Sequence, residues 1–497
     1  MNDSLVELRN VSKTFGGSRA LDEVSLALRT AEIRCLAGEN GCGKSTVIKI
    51  ISGVYQPDDG EIWIDGHRVP HMTPIEAVRV GVEVIYQDFS LFGNLTVAEN
   101  LSLNTFLRER RRLVDWGRQR RLAREALDRL GVDIDLDAEV ARLPTASKQL
   151  IAVARALMAD ARLIIMDEPT TALTRKEVDR LIDISRAIKA AGVSVLFVTH
   201  KIREMLEISD AITVMRNGRV VVEGPIADFD EASIVRHMTG RELSREIYVR
   251  TNTETAPRLQ VKGLRLPDGA EPIDLSLYPG DILGVGGLIG SGRTELALAL
   301  FGMQPDYEGE IAIDGEPVEL RSIAAAVNNG VAYVPEDRLT EGLFLPQSIE
   351  RNMLASSLDD VARPLSLDFA KAETLTRTML AEMRITARDP QTPVINLSGG
   401  NQQRVVIARW LLTHARILVL NGPTVGVDVG SKAEIHRLIR ALAVEQGVAV
   451  LMISDDIPEL LANCNTIALM HRGAIVARFS AGETDEAGVV ERLKALA

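Results

Sequence analysis

Cysteine is scarce in this sequence. Its 497 residues contain three cysteines, Cys35, Cys42 and Cys464, and none of them is paired in a CxxC spacing. The pattern therefore predicts neither a disulfide framework nor a zinc or iron–sulfur site. This usage of cysteine favours a reducing compartment such as the cytoplasm.

Long apolar runs are also missing. The most apolar segments, such as Val193–Val198 and Val448–Ile453, are far shorter than the roughly 20 residues that a helix needs to cross a bilayer. The first ten residues, MNDSLVELRN, lack the basic start and the apolar stretch of a secretion signal. We therefore expect a soluble, intracellular chain without a transmembrane segment of its own, and we expect these apolar segments to be buried strands.

The sequence has no excess of basic charge. The formal net charge is -12, which opposes broad electrostatic attachment to nucleic acid or to anionic lipid. The fractions of hydrophobic and charged residues, 46% and 25%, are those of an ordinary globular protein. Because one hydrophobic core usually stops growing at about 250 to 300 residues, a chain of this length predicts two large domains.

An internal repeat supports this division. Residues 53–66, GVYQPDDGEIWIDG, recur 249 positions later as residues 302–315, GMQPDYEGEIAIDG. Gly38 and Gly287 have the same offset, whereas Leu143 matches Leu397 after a small insertion. A duplicated domain explains several similar segments in the same order.

The repeat also predicts the domain organisation. We expect a first domain at residues 1–240, an exposed linker at 241–257 and a second domain at 258–497. Short apolar runs alternate with stretches of helical period in each half, which is typical of an α/β fold with a largely parallel sheet. Helical insertions are predicted at Asn94–Asp137 and Ile349–Arg388, and we expect them to form a smaller helical subdomain in each half.

A phosphate-binding motif follows the apolar strand predicted at Ile33–Ala37. Residues 38–46 read GENGCGKST, which satisfies GxxxxGK[ST], and they lead into a predicted helix at Val47–Ser52. Glycines let backbone amides surround phosphate oxygens, and a helix amino terminus favours negative charge. We expect Lys44 to reach the β- and γ-phosphates and Ser45 to bind Mg²⁺. The residues predicted to bind ATP in this loop are Gly38, Asn40, Gly41, Cys42, Gly43, Lys44, Ser45 and Thr46.

Two adjacent carboxylates follow another predicted strand, Leu163–Met166. Asp167 is expected to position Mg²⁺ through its coordination shell. Glu168 is expected to orient the attacking water and to deprotonate it as a general base. Together with the phosphate loop, this pair predicts an ATP-hydrolysing site.

These motifs resemble those of the ATP-binding-cassette superfamily, and the resemblance extends over nearly all of both halves. Its other components are Phe15, Gln87 after a strand, His200 after Val195–Thr199, and the signature-like LSGGNQQ of Leu397–Gln403. The resemblance implies two tandem P-loop ATPase domains. It also implies that Phe15 stacks on adenine, that His200 contacts the γ-phosphate, and that Gln87 binds the metal and transmits the nucleotide state to a membrane partner.

In that family, ATP lies between the phosphate loop of one cassette and the signature of the other. The resemblance therefore implies that the first site combines the Lys44 loop, Asp167, Glu168 and His200 with signature residues from the second half. Those signature residues are Ser398, Gly399 and Gly400. Every chemical group expected by this resemblance is present in the first site.

The second site departs from the pattern. Its loop, residues 287–294, reads GLIGSGRT, and its predicted phosphate-binding residues are Gly287, Gly290, Gly292, Arg293 and Thr294. Arg293 keeps the positive charge of the usual lysine but is larger and planar. Asn421 and Gly422 replace the acidic pair, and Asp455 occupies the position of the switch histidine, where we expect it to repel a γ-phosphate.

The signature that faces this second site is altered too. Leu143–Gln149 reads LPTASKQ and lacks the two glycines that allow close approach to phosphate. All of these substitutions fall in the second site, whereas substitutions that arose independently would be spread over both sites. The sequence therefore predicts an asymmetric motor in which only the first site turns over ATP.

Further motifs narrow the resemblance to sugar-importer ATPases, including those for ribose, galactose, xylose and autoinducers. They are the twin cassettes, LSGGNQQ, Val334–Arg338 (VPEDR) and Gly426–Gly430 (GVDVG). The resemblance implies two integral-membrane permease subunits and an extracytoplasmic solute-binding protein as partners, and a peripheral position at the cytoplasmic face of the cell membrane. Because those partners contact the solute, the ATPase sequence leaves pentose, hexose, polyol and signalling sugar open.

A twin-cassette ATPase acting on ribosomes or DNA is the alternative class. Ribosome-acting members usually carry a long charged arm between their domains, and DNA-repair members carry zinc-binding cysteines. The sequence shows neither feature. A further class, a non-catalytic regulatory protein, would require the complete first site to bind ATP without turnover.

Overall fold

The repeat in the sequence corresponds to two compact units, Met1–Leu243 and Ser244–Ala497. The computed structural model describes residues 4–86, 90–108, 115–170, 175–240, 248–250, 256–267, 271–288, 290–364, 366–387, 389–480 and 482–496. Within the linker predicted at 241–257, Tyr248 is buried, and its hydroxyl donates to the Gly280 carbonyl oxygen at 2.7 Å. This part of the predicted exposed linker therefore packs on the second unit.

Strands and helices alternate along the first unit. Its strands are β1 (Ser4–Phe15), β2 (Ser18–Arg29), β3 (Ile33–Gly38), β4 (Asp59–Ile64), β5 (His67–Val69), β6 (Val82–Ile85), β7 (Leu163–Asp167), β8 (Ser194–Val198), β9 (Ala211–Arg216) and β10 (Arg219–Pro225). Its helices are α1 (Lys44–Ile51), α2 (Pro74–Arg79), α3 (Val97–Arg108), α4 (Trp116–Arg129), α5 (Thr145–Met158), α6 (Arg175–Ala190), α7 (Ile202–Ile208) and α8 (Glu231–Thr239).

Two sheets organise this unit. The larger has the order β10-β9-β3-β8-β7-β6, and all of its pairs are parallel except β9 with β10. The smaller is an antiparallel sheet with the order β2-β1-β4-β5. The parallel sheet confirms the predicted α/β class, whereas the alternation of apolar runs and helices did not predict the antiparallel sheet.

The strands of the larger sheet are buried on both faces. Ile164 and Met166 of β7 belong to a core that includes the helical subdomain, whereas Leu163 and Ile165 face a second core beneath the antiparallel sheet. This alternation follows from the two-residue period of a strand. It explains why β7 is continuously apolar, as strands of parallel sheets usually are.

The second unit has the same arrangement. Its strands are β11 (Leu259–Arg265), β12 (Ile273–Leu277), β13 (Ile282–Gly287), β14 (Glu308–Ile313), β15 (Glu316–Val318), β16 (Val331–Val334), β17 (Ala362–Arg363), β18 (Ser366–Leu367), β19 (Ile417–Asn421), β20 (Ala449–Ile453), β21 (Thr466–His471) and β22 (Ala474–Ser480). Its helices are α9 (Arg293–Leu300), α10 (Ile323–Asn328), α11 (Ile349–Leu354), α12 (Phe369–Glu382), α13 (Gly399–Leu411), α14 (Val429–Gln446), α15 (Ile457–Asn463) and α16 (Glu486–Leu496).

Its sheets repeat the topology of the first unit. The larger one has the order β16-β19-β20-β13-β21-β22, the smaller antiparallel one has the order β12-β11-β14-β15, and β17 and β18 form a separate hairpin. The predicted insertions contain α3 and α4 in the first unit and α11 and α12 in the second. None of the described helices combines the length and the apolar character needed to cross a membrane.

A buried Asn–Arg pair connects the helical subdomain to the rest of the second unit. The Asn352 side chain exchanges hydrogen bonds with the backbone N–H and C=O of Phe344, at 2.9 and 3.0 Å. The Arg409 guanidinium donates to the carbonyl oxygens of Asn352 and Gly342, at 2.6 and 2.7 Å. Burial lowers the pKa of Arg409 to about 10. The pair therefore satisfies several backbone groups that have no partner in a helix or strand.

Asn352→Ala should destabilise the second unit because it removes the side-chain oxygen that accepts from the Phe344 N–H and from Arg409 Nη2, at 2.9 and 3.1 Å. We expect the free energy of unfolding in urea to fall by about 2 to 3 kcal/mol. Asn328→Ala, at an exposed position of α10, provides the control and should have a much smaller effect. Equal losses in the two variants would contradict the role of the pair.

Candidate functional site

One edge of the larger sheet in the first unit collects the predicted site residues. Strand β8 lies between β3 and β7, and the three strands are parallel. Their carboxyl ends lead to the Lys44 loop, to His200 and to Asp167 with Glu168. In open parallel sheets, ligands bind at this edge.

The phosphate loop depends on glycine at its two bends. Gly38 and Gly43 have φ values of 152° and 108°, which favour glycine. A β carbon would lie 2.5 Å from the Met215 carbonyl oxygen at Gly38 and 2.7 Å from that of Ala20 at Gly43. The loop is therefore packed too closely for side chains at these positions, and it leads directly into α1.

Lys44 is the first residue of α1, so the helix begins earlier than the predicted Val47. The Lys44 side chain is buried, and its ammonium donates to the carbonyl oxygens of Gly38 and Glu39 at 2.7 and 2.9 Å. A cation is thus held over the backbone of the loop. This arrangement fits a phosphate group, since positive charge, glycine backbone and a helix amino terminus converge there.

The two carboxylates at the end of β7 have different environments. Burial raises the pKa of Asp167, the charge of Glu168 raises it further, and Lys44 opposes both effects. A nearby cation would therefore stabilise the ionised form of Asp167. Glu168 has a φ of 47°, and its N–H donates to the Val198 carbonyl oxygen at 2.9 Å, which ties this strained position to β8.

His200 contacts the predicted general base directly. Its Nδ1 lies 3.0 Å from Glu168 Oε1, and both side chains are about one-fifth exposed, at 18% and 20%. An ionised Glu168 carboxylate only accepts hydrogen bonds, so in that state His200 Nδ1–H is the donor. The pair leaves His200 Nε2 for a second partner and fixes the direction of the Glu168 carboxylate.

A buried carboxylate, Glu204, lies behind this pair. It accepts hydrogen bonds from Thr170 Oγ1 and Thr199 Oγ1, at 2.7 and 3.2 Å. Lys201 Nζ lies 3.4 Å from Glu204 Oε1 and donates to the Thr170 carbonyl oxygen at 2.9 Å. Glu204 therefore joins the segment after Glu168 to the segment that carries His200.

The remaining predicted residues of the first site have varied surroundings. Phe15 is 40% exposed at the end of β1, and its ring centroid lies 5.1 Å from that of Tyr55. Burial raises the pKa of Cys42. Gly41 has a φ of 80°, whereas Gln87 lies outside the described residues. Asn40, Ser45 and Thr46 lie in the loop or in the first turn of α1.

A metal at this site would rely on few protein ligands. Among the described residues, no group of three or more His, Cys, Asp and Glu side chains could hold a metal ion. Ser45 and Asp167 nevertheless provide the oxygen ligands that Mg²⁺ prefers, and Mg²⁺ commonly takes its other ligands from phosphates and water. The described residues are therefore compatible with a metal that arrives with a nucleotide.

The corresponding edge of the second unit has the same backbone but different side chains. Gly422 has a φ of 59°, close to the value at Glu168, and it carries no side chain. Asn421, at the end of β19, is buried, and its Nδ2 lies 3.5 Å from the Tyr333 hydroxyl. The described positions that correspond to Asp167 and Glu168 therefore carry no carboxylate.

Arg293 and Asp455 form an ion pair at this edge. Arg293 Nη1 also donates to the Ser454 carbonyl oxygen at 3.1 Å. The sequence predicted that Asp455 would face a phosphate, and it did not predict this pairing. Arg293 thus bonds to the segment after β20, whereas Lys44 bonds to its own loop.

Close packing explains the glycines of the second signature. Ser398 caps α13 by accepting from Asn401 N–H at 3.4 Å. A β carbon at Gly399 would lie 2.8 Å from Arg338 Nη2, and one at Gly400 would lie 2.3 Å from Ser431 Oγ. The equivalent helix α5 in the first unit begins after Pro144, which provides no side-chain cap. The two signatures therefore differ in structure as well as in sequence.

Comparison with known proteins agrees with this architecture. A family model described as ABC transporter matches residues 21–171 and 270–425, which together exceed half of the chain. The chain belongs to the ABC transporter family. Its two units are the two ATP-binding cassettes that the sequence motifs predicted.

Relatives from bacteria match almost the whole chain. A Burkholderia lata protein, provisionally named for ribose, galactose or methyl galactoside import, is 40% identical over 98% of this chain and 93% of its own. The ribose import ATP-binding protein RbsA of Jannaschia sp. is 41% identical over 96% of this chain and 92% of its own. A crystal structure of an ABC transporter cassette in its ADP conformation covers 48% of this chain and 99% of its own, at 24% identity and a TM-score of 0.43.

Sequence reasoning missed the buried carboxylates that support both edges. Glu459 in the second cassette occupies the position of Glu204 and accepts hydrogen bonds from Thr424 and Ser454. Glu459 Oε1 also lies 2.7 Å from His436 Nε2. His436 thus takes the place that Lys201 has beside Glu204 in the first cassette. The sequence did contain a signal for these carboxylates, because Thr170 and Glu204 recur as Thr424 and Glu459 at matching positions of the repeat.

The Glu459 network should make the stability of the second cassette depend on pH in the acidic range. Burial alone would raise the pKa of Glu459, but its hydrogen bond and charge interaction with His436 prevail and hold the pKa at about 2, below the ordinary 4.5. A depressed pKa gives stability that is fully present above the ordinary value and is lost as the pH falls through the folded-state value. The loss should therefore begin below about pH 4.5 and continue toward about pH 2.

Glu459→Gln tests this effect. At pH 7 we expect the variant to unfold in urea with a free energy lower by about 1 to 3 kcal/mol, because a charged hydrogen bond is removed. The deficit should shrink as the pH falls below 4.5, and Glu445→Gln, at an exposed position of α14, should show no such trend. A deficit that stays constant with pH would show that the charge of Glu459 is not involved.

Proposed function

We propose that this protein is the ATP-hydrolysing subunit of an importer for ribose or a related sugar, and that only its first cassette catalyses hydrolysis. One observation carries the catalytic assignment. The Glu168–His200 pair and Asp167 lie at the same sheet edge as the Lys44 loop, whereas the second cassette has Asn421, Gly422 and Asp455 at the matching positions.

In this proposal, each residue at the first edge has a separate task. Lys44 and the backbone of its loop hold the β- and γ-phosphates, and Phe15 contacts adenine. Glu168 accepts a proton from the attacking water, while the hydrogen bond from His200 keeps its carboxylate oriented. His200 Nε2, the ring nitrogen that does not contact Glu168, faces the terminal phosphate.

Mg²⁺ would be held by Ser45, Gln87 and Asp167, and it would neutralise charge that develops on the phosphate oxygens. The raised pKa of Asp167 supports this assignment, since burial next to Glu168 leaves its charge incompletely compensated. The proposal also assigns Ser398, Gly399 and Gly400 to the nucleotide that the Lys44 loop holds, as the family resemblance implies.

The choice of a sugar importer rests on the near full-length similarity to proteins named for ribose import. By the same resemblance, two permease subunits and an extracytoplasmic binding protein complete the complex, with this chain peripheral at the cytoplasmic face of the membrane. The relatives reported above are named as import proteins, so they do not favour the alternative role on ribosomes or DNA.

Two exposed phenylalanines support contact with a partner. Phe92 and Phe344 occupy matching positions in the two cassettes and are 52% and 59% exposed. An asparagine side chain holds the backbone of each phenylalanine. Asn352 bonds Phe344 as described above, and Asn100 bonds the backbone N–H and C=O of Phe92 at 2.9 and 3.0 Å. Large apolar side chains on fixed loops are typical of interaction sites, and we assign them to the permease subunits.

Glu168→Gln should nearly abolish ATP hydrolysis while ATP binding persists. The amide keeps the shape of the side chain but cannot accept the proton of the water. Loss of a positioned general base typically lowers the rate by about 100- to 10,000-fold. The measurement is ATP turnover in the complete permease complex, with nucleotide binding measured in parallel.

Arg293→Ala serves as the comparison from the second cassette. We expect it to lower turnover much less than Glu168→Gln, because no general base is present at position 422. If Glu168→Gln retained most of the activity and Arg293→Ala lost it, hydrolysis would have been assigned to the wrong cassette.

Phe92→Ser with Phe344→Ser tests the proposed docking surface. In the permease complex, the double variant should lose most of the ATPase stimulation that solute and binding protein produce, whereas the isolated chain should hydrolyse ATP at the parent rate. Val476→Ser, on edge strand β22, removes another exposed apolar side chain as a control. Normal stimulation of the double variant would exclude these side chains from the contact.

A further inference from the structure

The second phosphate loop retains the features of an anion site. Gly290 and Gly292 have φ values of 76° and 96°, and α9 begins directly after them at Arg293. A β carbon at Gly287 would lie 2.4 Å from the Met470 carbonyl oxygen. The loop therefore shares close packing at its first glycine with the loop of the first cassette, and Gly290 and Gly292 repeat the positive φ values of Gly41 and Gly43.

A buried hydroxyl in this loop has no hydrogen-bond partner. Ser291 is 4% exposed, and its Oγ has no hydrogen-bond partner within the described part of the chain. A β carbon at Gly287 would lie 2.7 Å from this oxygen, so the hydroxyl lies against the first glycine of the loop. A buried hydroxyl without a partner is costly, and an anion in the loop would satisfy it.

Arg293, the cation of this loop, already has partners within the second cassette. The Arg293 side chain is only 10% exposed, and it pairs with Asp455, which is 64% exposed. One further N–H of Arg293 donates to the Ser454 carbonyl oxygen. A guanidinium has five N–H groups, so these two contacts, counted among the described residues, leave donors for another anion.

A terminal phosphate would be poorly accommodated here. Asp455 follows β20 as His200 follows β8, and its negative charge would repel a γ-phosphate at the Arg293 guanidinium. At the end of β19, Asn421 and Gly422 provide no carboxylate to organise a metal ion. A β-phosphate, by contrast, requires only the glycine loop, the helix amino terminus and the free donors of Arg293.

We propose that the second phosphate loop is a nucleoside-diphosphate site, which binds ADP in preference to ATP because Asp455 excludes the terminal phosphate. This selectivity concerns binding at a loop that does not hydrolyse ATP. It is therefore independent of which solute the complex imports and of the rate at the first site.

The test is calorimetric titration of the full-length chain carrying Lys44→Ala, which weakens nucleotide binding at the first loop. ADP and ATP are the probes, each with and without Mg²⁺. We expect ADP to bind at least about 10-fold more tightly than ATP, with little dependence on Mg²⁺, because Coulomb repulsion from Asp455 acts most strongly on the additional phosphate. Arg293→Ala in the same background should weaken ADP binding at least about 5-fold, which assigns the binding to the second loop.

Asp455→Asn in this background supplies the decisive comparison. It removes the charge while keeping the size of the side chain, so ATP affinity should rise about 10-fold and ADP affinity should change less than about 3-fold. Asp306→Asn removes an exposed carboxylate from the same cassette and should leave the ADP-to-ATP ratio unchanged.

Three results would overturn the proposal: equal affinities for ADP and ATP in the parent, no binding of either nucleotide, or a ratio that Asp455→Asn does not alter. Circular dichroism of each variant verifies folding. A failure of the hydrolysis proposal would be seen instead in the turnover of Glu168→Gln, and it would leave these titrations unaffected.

Discussion

The parallel pairing of β3, β8 and β7 is the constraint on which the first site depends. The three strands end at one edge of the sheet, so the Lys44 loop, His200 and the Asp167–Glu168 pair meet there although they are far apart in the sequence. Backbone hydrogen bonds reinforce this convergence, since Glu168 N–H donates to the last residue of β8. The chemistry assigned to the site therefore follows from sheet topology together with the side chains at the strand ends.

The two cassettes show how such a scaffold can keep its geometry while its chemistry changes. The residue after β7 and the residue after β19 are both left-handed, although one is Glu168 and the other is Gly422. The buried Glu204 and Glu459 networks are likewise repeated. The buried carboxylates that support each edge are kept, whereas the side chain assigned to catalysis is replaced in the second cassette. The residues that support the fold are therefore distinct from those assigned to catalysis. At the altered edge, the cation of the second loop, Arg293, forms an ion pair with Asp455.

Much of this arrangement could be predicted from the sequence, because it depends on local patterns. The phosphate loop, the α/β class and the strand leading to Asp167 required only glycine spacing and apolar runs. The antiparallel sheets were missed because their strands show only partial alternation and because each sheet is completed by one pairing between distant strands, β1 with β4 and β11 with β14. The pairing of Arg293 with Asp455, 162 positions away, depends on which strand ends become neighbours, and local patterns carry no information on that. The burial of Tyr248 was missed for the same reason.

The central claim is that the two cassettes share a fold and that one of them hydrolyses ATP. Orthovanadate trapping of an ATP analogue with its photoreactive group on the adenine tests it most directly, because only a site that has hydrolysed the nucleotide retains the trapped product and the adenine of the first site is assigned to Phe15. After crosslinking in the working permease complex, cleavage between the two units would separate residues 1–243 from 244–497. The account predicts vanadate-dependent label on the first fragment alone. Comparable vanadate-dependent label on both fragments, or on the second alone, would contradict it.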